Sequence, residues 1–224
     1  MRFLPVFVGL VLVSCTGETF AARNNRQDVR QAFQPLKAIS TKQQRTKQVA
    51  GRDTEEFLSL QSQLILSQEP YVQQTIDEEH NIRDSLETVR DAKCAGFVST
   101  ATDALMTLGG ISFGNCVAKI DKDMFLGLYS SATSADDSTA RQEYARTSLL
   151  SDWGRMNIFT EAAAINTMIE EKLMISSESE RLFATRELST ALKDALQECL
   201  VNARALLSQS LSAATSQVDN ICDQ

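Results

Sequence analysis

One short run, Asp77-Glu78-Glu79-His80, gathers the residue types that carry protons or hold metals. His80 is the only histidine in the chain. Any Ser-His-Asp or Cys-His arrangement for nucleophilic catalysis would therefore have to use it. The rest of such a site is missing from the sequence. There is no GxSxG elbow and no glycine-rich oxyanion loop around it. HExxH is absent, which excludes a helix-borne zinc protease. Asp77-x-x-His80 loosely matches the Glu-x-x-His step of diiron bundles, but one histidine cannot supply the second pair. Three successive acids on a helix also splay apart, so they suit a hard cation poorly.

Other chemistry fails on the same inventory. No DxDxDG calcium loop, no GxxxxGKS/T and no GxGxxG occurs. Asp136-Asp137 reads as a loop and helix cap, and Glu170-Glu171 as a solvated face. His80 itself reads as a solvated helix residue. These observations describe a protein without catalytic, cofactor-binding or metal-binding residues.

The cysteines have a different use. They are Cys15, Cys94, Cys116, Cys199 and Cys222, with no CxxC pair and no histidine nearby in sequence. That argues against a zinc site or a thioredoxin-like redox pair. Met1 and Arg2, the apolar run Phe3 to Val13 and the small residues after it form a secretory signal over 1–21. Cleavage fits after Gly17 or after Ala21. The rival reading is Leu12-Val13-Ser14-Cys15 as a lipobox, with Cys15 acylated in a bacterial envelope lipoprotein. If the signal is removed, Cys94, Cys116, Cys199 and Cys222 remain, an even number that implies two disulfides.

The elements that carry these residues are helical by pattern. Pro and Gly are scarce, which favours helices. From Leu188 to Ile221 apolar residues recur in steps of three or four, near the straight-helix period. Cys199 and Cys222 on that helix stand about 34 Å apart, far beyond the roughly 7 Å that a disulfide spans. They must reach Cys94 and Cys116, whose spacing is nearly equal. An antiparallel arrangement pairs Cys94 with Cys222 and Cys116 with Cys199. A parallel one pairs Cys94 with Cys199 and Cys116 with Cys222. The antiparallel form is preferred.

Upstream, Asp53 and Glu56 have capping-box spacing before a helix bearing Phe57, Leu60 and Leu64. A second apolar pattern runs from Pro70 to about Leu108, where Gly109-Gly110 predicts a stop. Cys116 to Tyr129 reads as a separate helix. One or two helices follow between Tyr144 and Leu173, with a possible break at Gly154. From Ala205 to Val218 the last helix has no charge. This half reads as enclosed by its neighbours, with contact to a partner as the alternative.

Charge divides the chain. Arg23 to Arg52 holds eight basic residues and the single acid Asp28, a balance of +7. From Asp53 onward 13 basic and 27 acidic residues give −14. Residues 22–52 read as a basic, weakly structured arm with a short helix, either resting on the chain's own acidic body or simply solvated. Arg23-Asn24-Asn25-Arg26 also matches a minimal RxxR processing site. Nucleic acid is not expected as a partner of an exported chain, and no later segment is apolar enough to span a membrane.

The signal, the helical body, the paired cysteines and the closing run LKDALQECLVNARALLSQSLSAATSQVDNICDQ resemble secreted insect proteins of the TsetseEP-domain family. The resemblance covers about 53–222. It implies a dipteran source, an extracellular location and a gut or immune setting, and it carries over no catalytic residue. The Glu-Pro repeat of the family's namesake is absent. The expectation is an all-α, elongated antiparallel bundle stapled by two disulfides, secreted and non-enzymatic. It would bind a protein or surface partner of unknown identity. A carrier of lipid or another small hydrophobic ligand is the second reading.

Overall fold

A computed structural model describes residues 28–40, 54–129, 137–176 and 183–222. The signal, the lipobox, the RxxR site and the run 41–53 lie outside the described residues. Two helical pieces come first, α1 (28–32) and α2 (34–40). Then follow β1 (Thr54–Glu56), α3 (Phe57–Leu66), α4 (Glu69–Leu86), α5 (Ala92–Tyr129) and α6 (Asp137–Thr147). The chain continues through α7 (Leu149–Trp153), α8 (Ala162–Ser176), β2 (Phe183–Thr185) and α9 (Arg186–Gln217). A π-helical turn, Val218–Cys222, closes it. Helices α3 to α9 pack antiparallel in an all-helical bundle.

The two long helices set the frame. Helix α5 has 38 residues and α9 has 32, or about 57 and 48 Å of rod. They lie antiparallel and are clipped twice. Cys94 bonds Cys222, with Cα atoms 5.5 Å apart, and Cys116 bonds Cys199 at 5.7 Å. This is the antiparallel connectivity preferred from the cysteine spacing. The apolar stripe of α9 faces inward as its period requires, with Leu192, Leu196, Leu200, Leu207, Leu211 and Val218 buried.

Several details differ from the sequence pattern. The Pro70–Leu108 pattern breaks earlier, between Leu86 and Ala92. Asp91 starts the new helix by accepting hydrogen bonds from the backbone N–H groups of Lys93 (2.9 Å) and Cys94 (3.3 Å). Helix α5 then runs straight through Gly109-Gly110 instead of stopping. The pair serves close approach. A Cβ on Gly109 would collide with the Leu207 side chain, and one on Gly110 with the Asn157 amide. Cys116 to Tyr129 is thus the second half of one helix.

The capping box is also replaced. Glu56 is the last residue of β1 and the N-cap of α3, with extended backbone and no side-chain cap. β1 pairs antiparallel with β2, Thr54 opposite Thr185 and Glu56 opposite Phe183. This three-residue pair is the one sheet among the described residues. Asp53 lies outside them.

Part of the basic arm belongs to the core. Val29, Ala32, Phe33 and Leu36 are fully or almost fully buried, and Phe33 packs its ring on Trp153 at 5.5 Å. The short helix of the sequence reading is present, but it is well anchored rather than weakly structured. Two ion pairs dock it on the acidic helix α4, Arg30 to Asp77 at 3.4 Å and Lys37 to Glu69 at 2.5 Å. Residues 28–40 of the arm lie on the chain's own body.

Candidate functional site

The Asp77–His80 run is a docking hub. Successive helix positions point about 100° apart, so each acid meets a different neighbour. Asp77 takes Arg30 of α1 and Gln73 of its own helix. Glu78 faces α9, where it accepts from the Arg204 guanidinium and, at 3.1 Å, from the Ser208 hydroxyl. Glu79 is fully buried and accepts from Arg83 Nε and Nη2 at 2.9 and 2.8 Å. Arg83 Nη2 also reaches Asp103 of α5 at 2.5 Å. Two turns of α4, from Asp77 to Arg83, therefore tie down α1, α9 and α5.

His80 is half-buried rather than solvated, and its Nε2 is buried without a protein partner. Its neighbouring carboxylates are each engaged with a guanidinium. Among the described residues no group of three or more His, Cys, Asp or Glu side chains converges on a cation-sized space.

A second polar cluster could not be read from local sequence. The Asp121 carboxylate on α5 accepts from the Tyr144 hydroxyl at 2.8 Å and the Ser148 hydroxyl at 2.7 Å. Gln61 of α3 donates to Ser148 Oγ at 3.1 Å and accepts from Leu149 N at 2.8 Å. Burial pushes the Asp121 carboxyl above its usual range, against the pull of the two hydroxyls and of Arg155. Burial, with Asp121 beside it, likewise raises the Tyr144 phenol. Ser148 also caps α7 by accepting from Ser151 N. It is fully buried, and its oxygen is committed to three partners. These bonds fasten α3, α5, α6 and α7 together.

Lys172 is a third fastening. Its ammonium donates to the carbonyls of Ala145 and Arg146 at 2.7 and 2.9 Å and pairs with Asp152 at 3.1 Å. A cation there complements the negative end of α6.

The chain also has a small groove between α1 and α4 of about 190 Å³, lined by Val29, Arg30, Phe33, Glu69, Val72 and Ile76. Drug-sized ligands fill roughly 300–1,000 Å³, so this groove is small for a lipid.

The feature with no internal use lies on the outside of the α5–α9 pair. Heptad steps from the bridged cysteines mark it. On α5, Cys94 leads to Ala101 and Leu108, and Phe97 leads to Ala104 and Ile111. On α9, Cys199 leads to Leu206 and Ala213, and Asn202 leads to Gln209 and Ser216. Each heptad drifts about 20° around a straight helix, so these rows turn outward from the seam. They turn to the same side, because the two helices run antiparallel.

Phe97 is 68% exposed, Leu108 59% and Leu206 68%. Of the charged residues between the two disulfides, Asp103 turns to Arg83, Arg204 turns to Glu78, and Asp219 is exposed in the closing π-helical turn beside the Cys94–Cys222 bridge, so the outer face is uncharged from Ala205 to Val218 and along the facing part of α5. The uncharged half of α9 is thus enclosed on one side only. Leu207, Leu211 and Ala214 are buried, while Ala205, Leu206, Gln209, Ser212 and Ala213 face outward.

Compared with models of known families, with curated proteins and with solved structures, the chain finds no match. The resemblance to TsetseEP-domain proteins rests on the sequence features alone.

Proposed function

We propose that this is a secreted, non-enzymatic helical protein that acts by binding a protein or surface partner through the outer α5–α9 face. The observation that carries this reading is the uncharged stretch of that face, with Phe97, Leu108 and Leu206 more than half exposed. A solvated helix face ordinarily carries charge, and clustered exposed apolar side chains mark interaction surfaces. The two disulfides accord with an oxidising compartment. Among the described residues no helix is long and apolar enough to cross a membrane.

The resemblance to TsetseEP-domain proteins adds a gut or immune setting to this proposal. For the carrier reading the α1–α4 groove of about 190 Å³ is small for an acyl chain. Hydroxyl-radical footprinting of the face in the fluid where the protein works tests the binding reading. Protection of Phe97, Leu108 and Leu206 supports it, and labelling equal to that of the dilute purified protein contradicts it.

A further inference from the structure

Resting on the reading of the α5–α9 face as a binding surface, we infer that its occupant is a second copy of this chain. Two copies stack face to face about a two-fold axis parallel to the helices, α5 of each lying over α9 of the other. Three observations lead there.

The first is charge. The chain carries −7 overall, so two copies repel, and least where they meet on a neutral surface. The charge-free face is such a surface.

The second is self-complementarity. The disulfides fix the register, placing Leu108 of α5 within about 3 Å of the level of Leu206 of α9. A two-fold along the helices keeps that level, so Leu108 of each copy meets Leu206 of the other. The same operation brings Lys119, just beyond the Cys116–Cys199 bridge, near Glu198 of the other copy; both are exposed. A two-fold across the helices would instead set Lys119 over Lys93, two like charges.

The third is area. The bridges bound about 33 Å of helix, and two packed helices present a width of about 20 Å. That footprint buries about 1,300 Å² over both copies, at the lower end of specific interfaces. Such a dimer dissociates in the micromolar range, about 1 to 100 μM. Added salt screens the net repulsion and leaves the apolar contact intact, so it tightens the dimer.

Sedimentation equilibrium of the mature secreted chain, from 1 μM to about ten times the weakest of these constants, tests this. The wild-type mass should rise from one chain toward two. Leu108→Lys and Leu206→Glu should each weaken the dimer at least tenfold while far-UV circular dichroism and both disulfides stay unchanged. An equimolar mixture of the two variants should recover it, because each Lys then faces a Glu. Val201→Glu, an equally outward change on the α4 side of α9, should behave as wild type. A wild-type chain that stays monomeric, variants that dimerise unchanged, or a mixture that fails to recover would each overturn the proposal. A monomer whose face is still protected in its native fluid overturns self-association and leaves the binding reading standing. A monomer whose face is unprotected there overturns both.

Discussion

Asp121 shows what a buried polar group does in this protein. It joins Tyr144 on α6 and Ser148 at the start of α7 to helix α5. Asp121→Ala leaves both hydroxyls without their acceptor and should cost about 1–3 kcal/mol in urea unfolding. Asp121→Asn keeps an acceptor oxygen and removes the buried charge, so at pH 7 it should change stability by less than about 1 kcal/mol. The pH dependence has a definite sign. Folding raises the Asp121 carboxyl above its ordinary 3.8. The folded state therefore binds this proton more tightly, and its contribution is fully present below pH 3.8 and lost as pH rises through the raised value. Relative to Asp121→Asn, the wild type should be more stable near pH 4 than at pH 7. Unfolding curves of the two proteins at both pH values check this, and a difference of opposite sign would refute it. The Gln61–Ser148–Asp121 network was not legible in the sequence. Its members are separated by 87 and 27 positions, and no local pattern announces such a contact. That the three acids around His80 point different ways was legible, because consecutive helix positions splay apart. Their separate partners became visible only once α1, α5 and α9 were packed around α4.

Among the elements, apolar periodicity located the helical segments because burial, rather than local propensity, selects their faces. Glycine misled the reading where it was taken as punctuation. Gly109 and Gly110 lie inside α5, where each costs up to about 1 kcal/mol of helix propensity relative to alanine. The close contacts with Leu207 and Asn157 offset that cost. Asn157 itself donates to the Thr107 carbonyl at 2.9 Å and accepts from Phe159 N at 3.0 Å, so it cannot simply move aside. Gly154, expected as a break, does end α7, and it also lets that turn press on α5. A Cβ there would stand 2.7 Å from the Ala118 backbone nitrogen. Gly154→Ala should therefore destabilise by about 1–3 kcal/mol, as overpacking against backbone does. Gly96, also in α5, has open space where its Cβ would go. Gly96→Ala should stabilise by about 0.4–1 kcal/mol through the unfolded chain's lost freedom. Denaturant midpoints measure both, and shifts of the same sign would contradict the assignment. The strand pair β1–β2 had no signal of its own, being three residues long and paired across most of the chain.

At the scale of the whole molecule, two cross-links hold the antiparallel pair that everything else packs against. They join residues 128 and 83 positions apart. In the chain-entropy model each contributes about 4–5 kcal/mol as an upper figure, comparable to a domain's net stability. That they cross between two elements was legible because one straight helix cannot bond its own distant cysteines, while the choice between parallel and antiparallel pairing was settled only by the packing of α5 on α9. The outward half of α9 was misjudged for a related reason. Lack of charge shows that a surface avoids water's usual partners, but not whether its cover comes from the same chain. Export has its own test in the mature N-terminus. Sequencing with intact mass should give a start at Glu18 or Ala22, whereas acyl mass on Cys15 would establish the lipoprotein. The central claim, that the charge-free face is where the protein binds, is tested most directly by hydroxyl-radical footprinting in its native fluid and in dilute purified form. The expected result is protection of Phe97, Leu108 and Leu206 in the fluid alone, with Val201 labelled equally in both. Equal labelling of all four residues in the two samples would contradict it.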